Sequence, residues 1–194
     1  MALSVAVLNS ACNNNEKLMS PKPRMYPRIY YPQGDSLKLY SSDYCPFTFE
    51  YPEYMVIKKD SFVFDGKPPG DCWFDINSPD LNTSLHCSYY PINRQVSLSQ
   101  LINDAFTITG KHNIKASYRK ESFIRNEYGV SGLMFEVEGP VASPVQFYLT
   151  DSTSHFFRAS FYFNSTVNPD STAEVLQFIR KDMDKIISSF RWKK

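Results

Sequence analysis

The stretch that decides the fold is Val145-Gln146-Phe147-Tyr148-Leu149, then Thr150, then Asp151-Ser152-Thr153-Ser154, then His155 and Phe156-Phe157-Arg158-Ala159-Ser160-Phe161-Tyr162-Phe163. In the second half Phe157, Ala159, Phe161 and Phe163 alternate with Arg158, Ser160 and Tyr162. A period of two is the mark of a strand with one buried face. Asp151–Ser154 is a cluster of short polar residues that favour turns. A link this short joins antiparallel neighbours, so the stretch predicts a β-hairpin.

Working outward, Val130–Val137 is a third strand of the same region, with Leu133, Phe135 and Val137 alternating with Met134, Glu136 and Glu138. Shorter strands are predicted at 47–51, 55–58, 62–64, 72–76, 83–90, 114–119 and 122–126. In 83–90, Leu85, Cys87 and Tyr89 share one face, and Ser84, His86 and Ser88 share the other. Two segments have helical spacing instead. Ser97 and Gln100 form a capping box before Leu98, Leu101, Ile102, Ala105 and Phe106, and Gly110 is expected to end that helix. Ser171 and Glu174 form a second box before Val175, Phe178, Ile179, Ile186 and Phe190, a stripe interrupted by Asp182. Arg191, Lys193 and Lys194 follow, where basic residues suit a helix C-terminus. Strands, a helix, more strands and a last helix give an α+β fold with a mostly antiparallel sheet and packed helices.

The start of the chain is different. Ala2–Leu8 is a short apolar run, followed by small polar residues, Ala11 and Cys12, and then Asn13, Asn14, Asn15 and Glu16. An apolar run, small residues and a cysteine before a polar stretch is the end of a bacterial lipoprotein signal. Cys12 is therefore the expected lipid attachment site, on a membrane outside the cytoplasm. The plain alternative is a buried strand with a core cysteine. Leu8 is one place off the usual lipobox position, and no basic residue precedes the run. Residues 1–11 read as a residual signal segment, 12–44 as a lipidated tether that becomes extended and Pro/Tyr-rich, and 45–194 as one globular domain. Pro21, Pro23, Pro27 and Pro32 keep that tether out of helix.

With 21 Lys and Arg against 20 Asp and Glu, the charge balance is near zero, which excludes a sequence-independent nucleic-acid binder. Beyond Cys12 no apolar stretch is long enough to span a membrane. Aromatics at 15% favour sheet over disorder. Cys45, Cys72 and Cys87 remain after Cys12, leaving one pair and a free thiol, or no pair. No cysteine or histidine spacing fits zinc, and only seven glycines are present, with no phosphate loop among them, so no cofactor is expected. His86, His112 and His155 lack partner motifs and read as ordinary histidines. Gly129-Val130-Ser131-Gly132 sits where a strand begins and reads as a turn, unlike a nucleophile elbow. Asp75 and Asp80 are explained by strand-face and loop positions. Tyr148 and Tyr162 fall opposite the main apolar set of their strands. Either a helix covers them or they form a contact surface.

Several stretches together resemble one family: Pro23–Ile29 with Pro32, Cys45–Pro52, Cys72–Ile76, Ala142–Thr153 and Phe190–Lys193. They are similar to the gliding-motility lipoprotein family GldD of Bacteroidetes, over nearly the whole chain after Cys12. The resemblance implies a periplasm-facing envelope lipoprotein tied to gliding and to type IX secretion. It implies partners among other envelope proteins of that machinery and no known catalytic residues. The extra Cys87 and the short signal are departures. More loosely, the element order is similar to a PsbP/Mog1-like α/β/α sandwich, which licenses no function. Cys45 and Cys72 each open a strand inside such a stretch, and this leads us to expect their disulfide, with Cys87 a buried thiol. The expected function is non-enzymatic support of the machinery through protein contacts. The alternatives are a hydrolase acting on envelope material and a carrier of a small apolar ligand.

Overall fold

The computed structural model describes residues 28–59, 70–112, 116–165 and 169–193. In chain order the elements are β1 (Leu37–Ser41), β2 (Phe47–Pro52), β3 (Val56–Lys59), β4 (Trp73–Ser78), β5 (Thr83–Pro91), α1 (Leu98–His112), β6 (Tyr118–Arg125), β7 (Ser131–Glu138), β8 (Val145–Thr150), β9 (His155–Phe163), α2 (Pro169–Ser189) and β10 (Arg191–Trp192). Seven strands form one sheet in the order β3-β4-β5-β9-β8-β7-β6. Every pairing in it is antiparallel. A second sheet has the order β1-β2-β10. The fold is α+β.

The β8–β9 hairpin is central. Phe147 pairs with Ala159 and Leu149 with Phe157, and these side chains are buried on one face. There they meet α2, through Val175, Ile179, Met183 and Ile186, and the small sheet, through Phe47 and Phe49. The opposite face carries Leu133, Phe135, Tyr148 and Phe156, on which α1 lays Leu101 and Ala105. The large sheet is thus a middle layer, with α1 on one side and α2 plus the small sheet on the other. Gly132 lets β7 and β8 approach: a Cβ there would meet the Tyr148 carbonyl oxygen at 1.9 Å.

The α1 capping box has both its reciprocal bonds. Ser97 N–H donates to Gln100 Oε1 at 2.9 Å, and Gln100 N–H to Ser97 Oγ at 3.3 Å. The helix does not stop at Gly110 but runs on to His112. Glycine in a helix costs about 1 kcal/mol relative to alanine, which one interior position tolerates. Likewise α2 begins at Pro169, two residues before Ser171. Proline suits a first helical position, where its missing N–H would have no partner in any case. Asp182, the charge in the apolar stripe of α2, is buried but satisfied by the Tyr54 hydroxyl and by Lys185 Nζ at 3.1 Å. Burial first, then the Asp182 carboxylate, push the Tyr54 phenol far above its ordinary range.

Three further departures follow from pairing. The segments 114–119 and 122–126 are not separate strands, since β6 pairs with β7 without a break from Tyr118 to Arg125. Its Lys120-Glu121 pair sits on an edge strand, where charged side chains reach water. Within the stretch 12–44 read as a tether, β1 is a strand of the small sheet, pairing Tyr40 with Phe49. The basic end of the chain does not extend α2: Arg191 and Trp192 leave the helix and pair with Thr48 and Phe47. The 62–64 strand lies outside the described residues, as do residues 1–27 with Cys12. Among the described residues no helix is long and apolar enough to cross a membrane.

Candidate contact surface

The β2 start, the β4 start, the β8–β9 turn and β10 come together at one end of the molecule. Cys45 and Cys72 are disulfide-bonded there, with Cα atoms 5.5 Å apart, and Cys87 is a buried free thiol. Burial drives the Cys87 pKa well above its ordinary value. Phe47 of β2 pairs with Trp192 of β10. Trp192 stacks on His155 with centroids 4.9 Å apart, and His155 Nδ1 shares a 2.7 Å hydrogen bond with the Tyr89 hydroxyl. Trp73 Nε1 donates to the Tyr89 carbonyl at 3.2 Å, and its ring meets Tyr90 edge-on at 5.4 Å. Arg158 lies over the Tyr90 ring at 5.7 Å, and Arg191 over the Tyr128 ring at 5.3 Å. Tyr44 and Tyr128 are exposed on this end. The four regions are those of Cys45–Pro52, Cys72–Ile76, Ala142–Thr153 and Phe190–Lys193, read separately in the sequence.

The turn beneath this end is built on one carboxylate. Asp151 Oδ1 accepts from the N–H groups of Thr153, Ser154 and His155 at 3.0, 2.9 and 2.9 Å. Burial works to raise the Asp151 pKa, but these bonds outweigh it and hold the carboxyl below its ordinary value. A carboxylate with a depressed folded pKa stabilises the fold above its unfolded pKa, and that contribution is lost as pH falls through the folded value. Asp151→Asn is therefore expected to lower the melting temperature at neutral pH. The difference from the parent should shrink as the pH is taken below about 4, which thermal melts at several pH values would read.

Of the two tyrosines singled out in the sequence, Tyr148 is not a contact residue. It is 9% exposed and packs beneath α1 with Leu101, Phe135 and Phe156. Burial raises its pKa, with Glu121 adding to the shift. Alternation placed it correctly on the outer face; α1 covers that part of the face. Tyr162 is further along, half-buried, edge-on to His86 at 5.1 Å. Burial raises its pKa too, against smaller opposing effects of Ser143 and Arg158.

On this same outer face Asp75, His86 and Ser160 are register partners across β4, β5 and β9. Asp75 Oδ1 and His86 Nδ1 are 2.5 Å apart. Asp, His and Ser side by side are the groups a hydrolase would use. Ser160 is buried, and its hydroxyl donates to Gln146 Oε1 at 3.4 Å. It sits mid-strand between two antiparallel neighbours, so its backbone is committed to ladder bonding rather than turned toward an oxyanion. Asp80 is exposed in the Pro79–Asn82 turn, away from Asp75 in role. Gly129 has φ 75° in the loop before β7, and Asn126, in the same loop, donates from Nδ2 to the carbonyls of Ile187 and Phe190, capping α2. The side chain of His112 lies outside the described residues. Among the described residues no group of three His, Cys, Asp or Glu side chains is arranged to hold a metal.

A profile of the family described as gliding motility lipoprotein GldD matches residues 16–192. The chain belongs to that family. It is accordingly a motility-family lipoprotein of the cell envelope. No curated protein matches the chain. Among solved structures it is similar to the solution structure of cyanobacterial PsbP (CyanoP) from Synechocystis, with 16% identity and a TM-score of 0.48 over 86% of this chain and 98% of that one.

Proposed function

We propose that this family member is a non-enzymatic lipoprotein that supports assembly or stability of the gliding-motility and type IX secretion machinery. It does so by contacts with other envelope proteins, held to a membrane by lipid on Cys12 and facing the periplasm. The observation that carries this reading is the meeting of four family-like stretches at one aromatic end of the domain. Tyr and Trp present large rigid faces with a polar handle, which is why they are enriched where proteins meet. The buried, Gln146-bonded Ser160 weighs against the hydrolase alternative.

The test uses a gliding host that depends on this protein. Tyr44→Asp combined with Tyr128→Asp alters exposed rings only and is expected to abolish co-purification with envelope partners while protein level stays normal. His86→Ala and Asp75→Asn are expected to leave gliding intact. Loss of gliding from either, at normal level and with co-purification retained, would favour the hydrolase. Mass spectrometry of the mature N-terminus reads the lipid on Cys12.

A further inference from the structure

At the end of the molecule opposite the disulfide lies a cavity of about 700 Å³. It opens between the segment after Arg28, the β4–β5 turn, the end of β9 and the first turns of α2. Small-molecule sites fall between about 300 and 1,000 Å³ and are mostly apolar with a few polar groups. This cavity has that make-up. Leu81 and Val175 form its buried floor, and Ile29, Tyr31 and Phe163 its half-buried walls. Its exposed rim carries charge of both signs, Arg28 and Asp80, with the Arg28 guanidinium over the Tyr30 ring at 5.4 Å. Nothing in the protein-contact reading uses it.

We infer that this cavity binds a single-chain amphiphile, its hydrocarbon chain against Leu81, Phe163 and Val175 and its anionic head group on Arg28 at the rim. A fully apolar ligand would leave the charged rim unused, and a small polar ion would leave the apolar walls uncovered. A molecule apolar along its length and charged at one end matches both parts. The location agrees with a source of such molecules. Arg28 is sixteen residues beyond Cys12, so the rim lies within about 56 Å of a membrane that holds Cys12. That last point rests on lipidation; the cavity and its lining do not.

The experiment uses the full chain carrying Cys12→Ser, so that no attached acyl chain competes and failed lipidation cannot be confused with failed binding. The probe is cis-parinaric acid, a fluorescent fatty acid, followed by fluorescence titration. Saturable binding of one probe per chain is expected. Saturated fatty acids should displace it with affinity rising about fourfold per methylene until the chain outgrows the cavity. Val175→Phe, which fills the floor, should weaken binding tenfold or more. Thr172→Trp narrows the cavity from its half-exposed wall and gives an independent answer if Val175→Phe fails to fold. Arg28→Glu should weaken fatty acids more than the uncharged alcohols of equal length. Displacement by palmitic acid but not lysophosphatidylethanolamine assigns the free acid as ligand source; tighter displacement by lysophosphatidylethanolamine than by palmitic acid assigns lysolipid, and either upholds the inference. Non-saturable uptake, affinity independent of chain length, or binding unchanged in folded Val175→Phe and Thr172→Trp would overturn it.

Discussion

Phe47→Ala is expected to destabilise the domain by about 3–5 kcal/mol, the range for truncating a fully buried aromatic. Phe47 has no exposed surface and joins the two sheets. Its ring lies 5.2 Å from Phe157 of the large sheet, 5.2 Å from Phe190 at the end of α2, and 6.0 Å from Trp192 of β10. Phe157 is fixed in a central strand of the large sheet and Phe190 directly follows α2, so these two rings cannot close together over the space left. A site that cannot collapse falls at the high end of the range. Urea unfolding should show a lower midpoint with an unchanged slope. The control is Phe123→Ala. Phe123 is 94% exposed on the edge strand β6, and its removal should change stability by no more than about 0.5 kcal/mol. Equal effects of the two substitutions would mean that Phe47 does not occupy the junction between the sheets.

The hairpin that anchors the fold was legible because its signal is local. Alternation over Phe157–Phe163 and the short polar link fix both strand identity and antiparallel sense without knowledge of anything distant. The same holds for the Ser97–Gln100 box, where donor and acceptor are three residues apart. What could not be read is whatever depends on a distant partner. β10 is two residues long and has no period of its own; it exists because Arg191 and Trp192 meet Thr48 and Phe47, more than 140 positions earlier. β1 sits in a stretch whose prolines mask it, and pairing with β2 makes it a strand.

Tyr148 shows the limit on the site. Alternation tells which face a side chain occupies but not what covers that face. The sequence left a helix or solvent as alternatives, and α1 decides between them by placing Leu101 and Ala105 over the ring. Signals for the aromatic end were present as separate pieces: Cys72-Trp73, the Asp151 turn and Phe190-Arg191-Trp192. Each was visible as a stretch. Their meeting is a property of strand order, since β5 and β8 flank β9 and so bring Tyr89 and the Asp151 turn to His155. Asp182 is a comparable case: a charge in an apolar stripe reads as a flaw until Tyr54 and Lys185 are seen to satisfy it.

Removing the Cys45–Cys72 disulfide is expected to cost about 3–4 kcal/mol in the chain-entropy model, which for a domain of this size lowers the melting temperature by on the order of 10 °C. The bond spans 27 residues and ties the entry to β2 in the small sheet to the entry to β4 in the large one. In the unfolded chain it closes a loop that would otherwise be open, and in the folded chain it holds the aromatic end together. Cys45→Ala, Cys72→Ala and the double variant should all lose the same amount, because each removes the same single bond. Near-additive losses would show instead that the two side chains act by packing alone. Cys87→Ala offers the contrast: its thiol is buried and unbonded to either cysteine, so only a small packing loss should follow. Alkylation in denaturant without reductant should label Cys87 and spare Cys45 and Cys72. Since Trp73 is on β4 itself and Tyr89 and Trp192 are on β5 and β10, the strands paired with β4 and β2, its loss should also weaken co-purification with envelope partners before the domain unfolds. Full partner binding by folded Cys45→Ala would place the contact surface away from the disulfide-tied end.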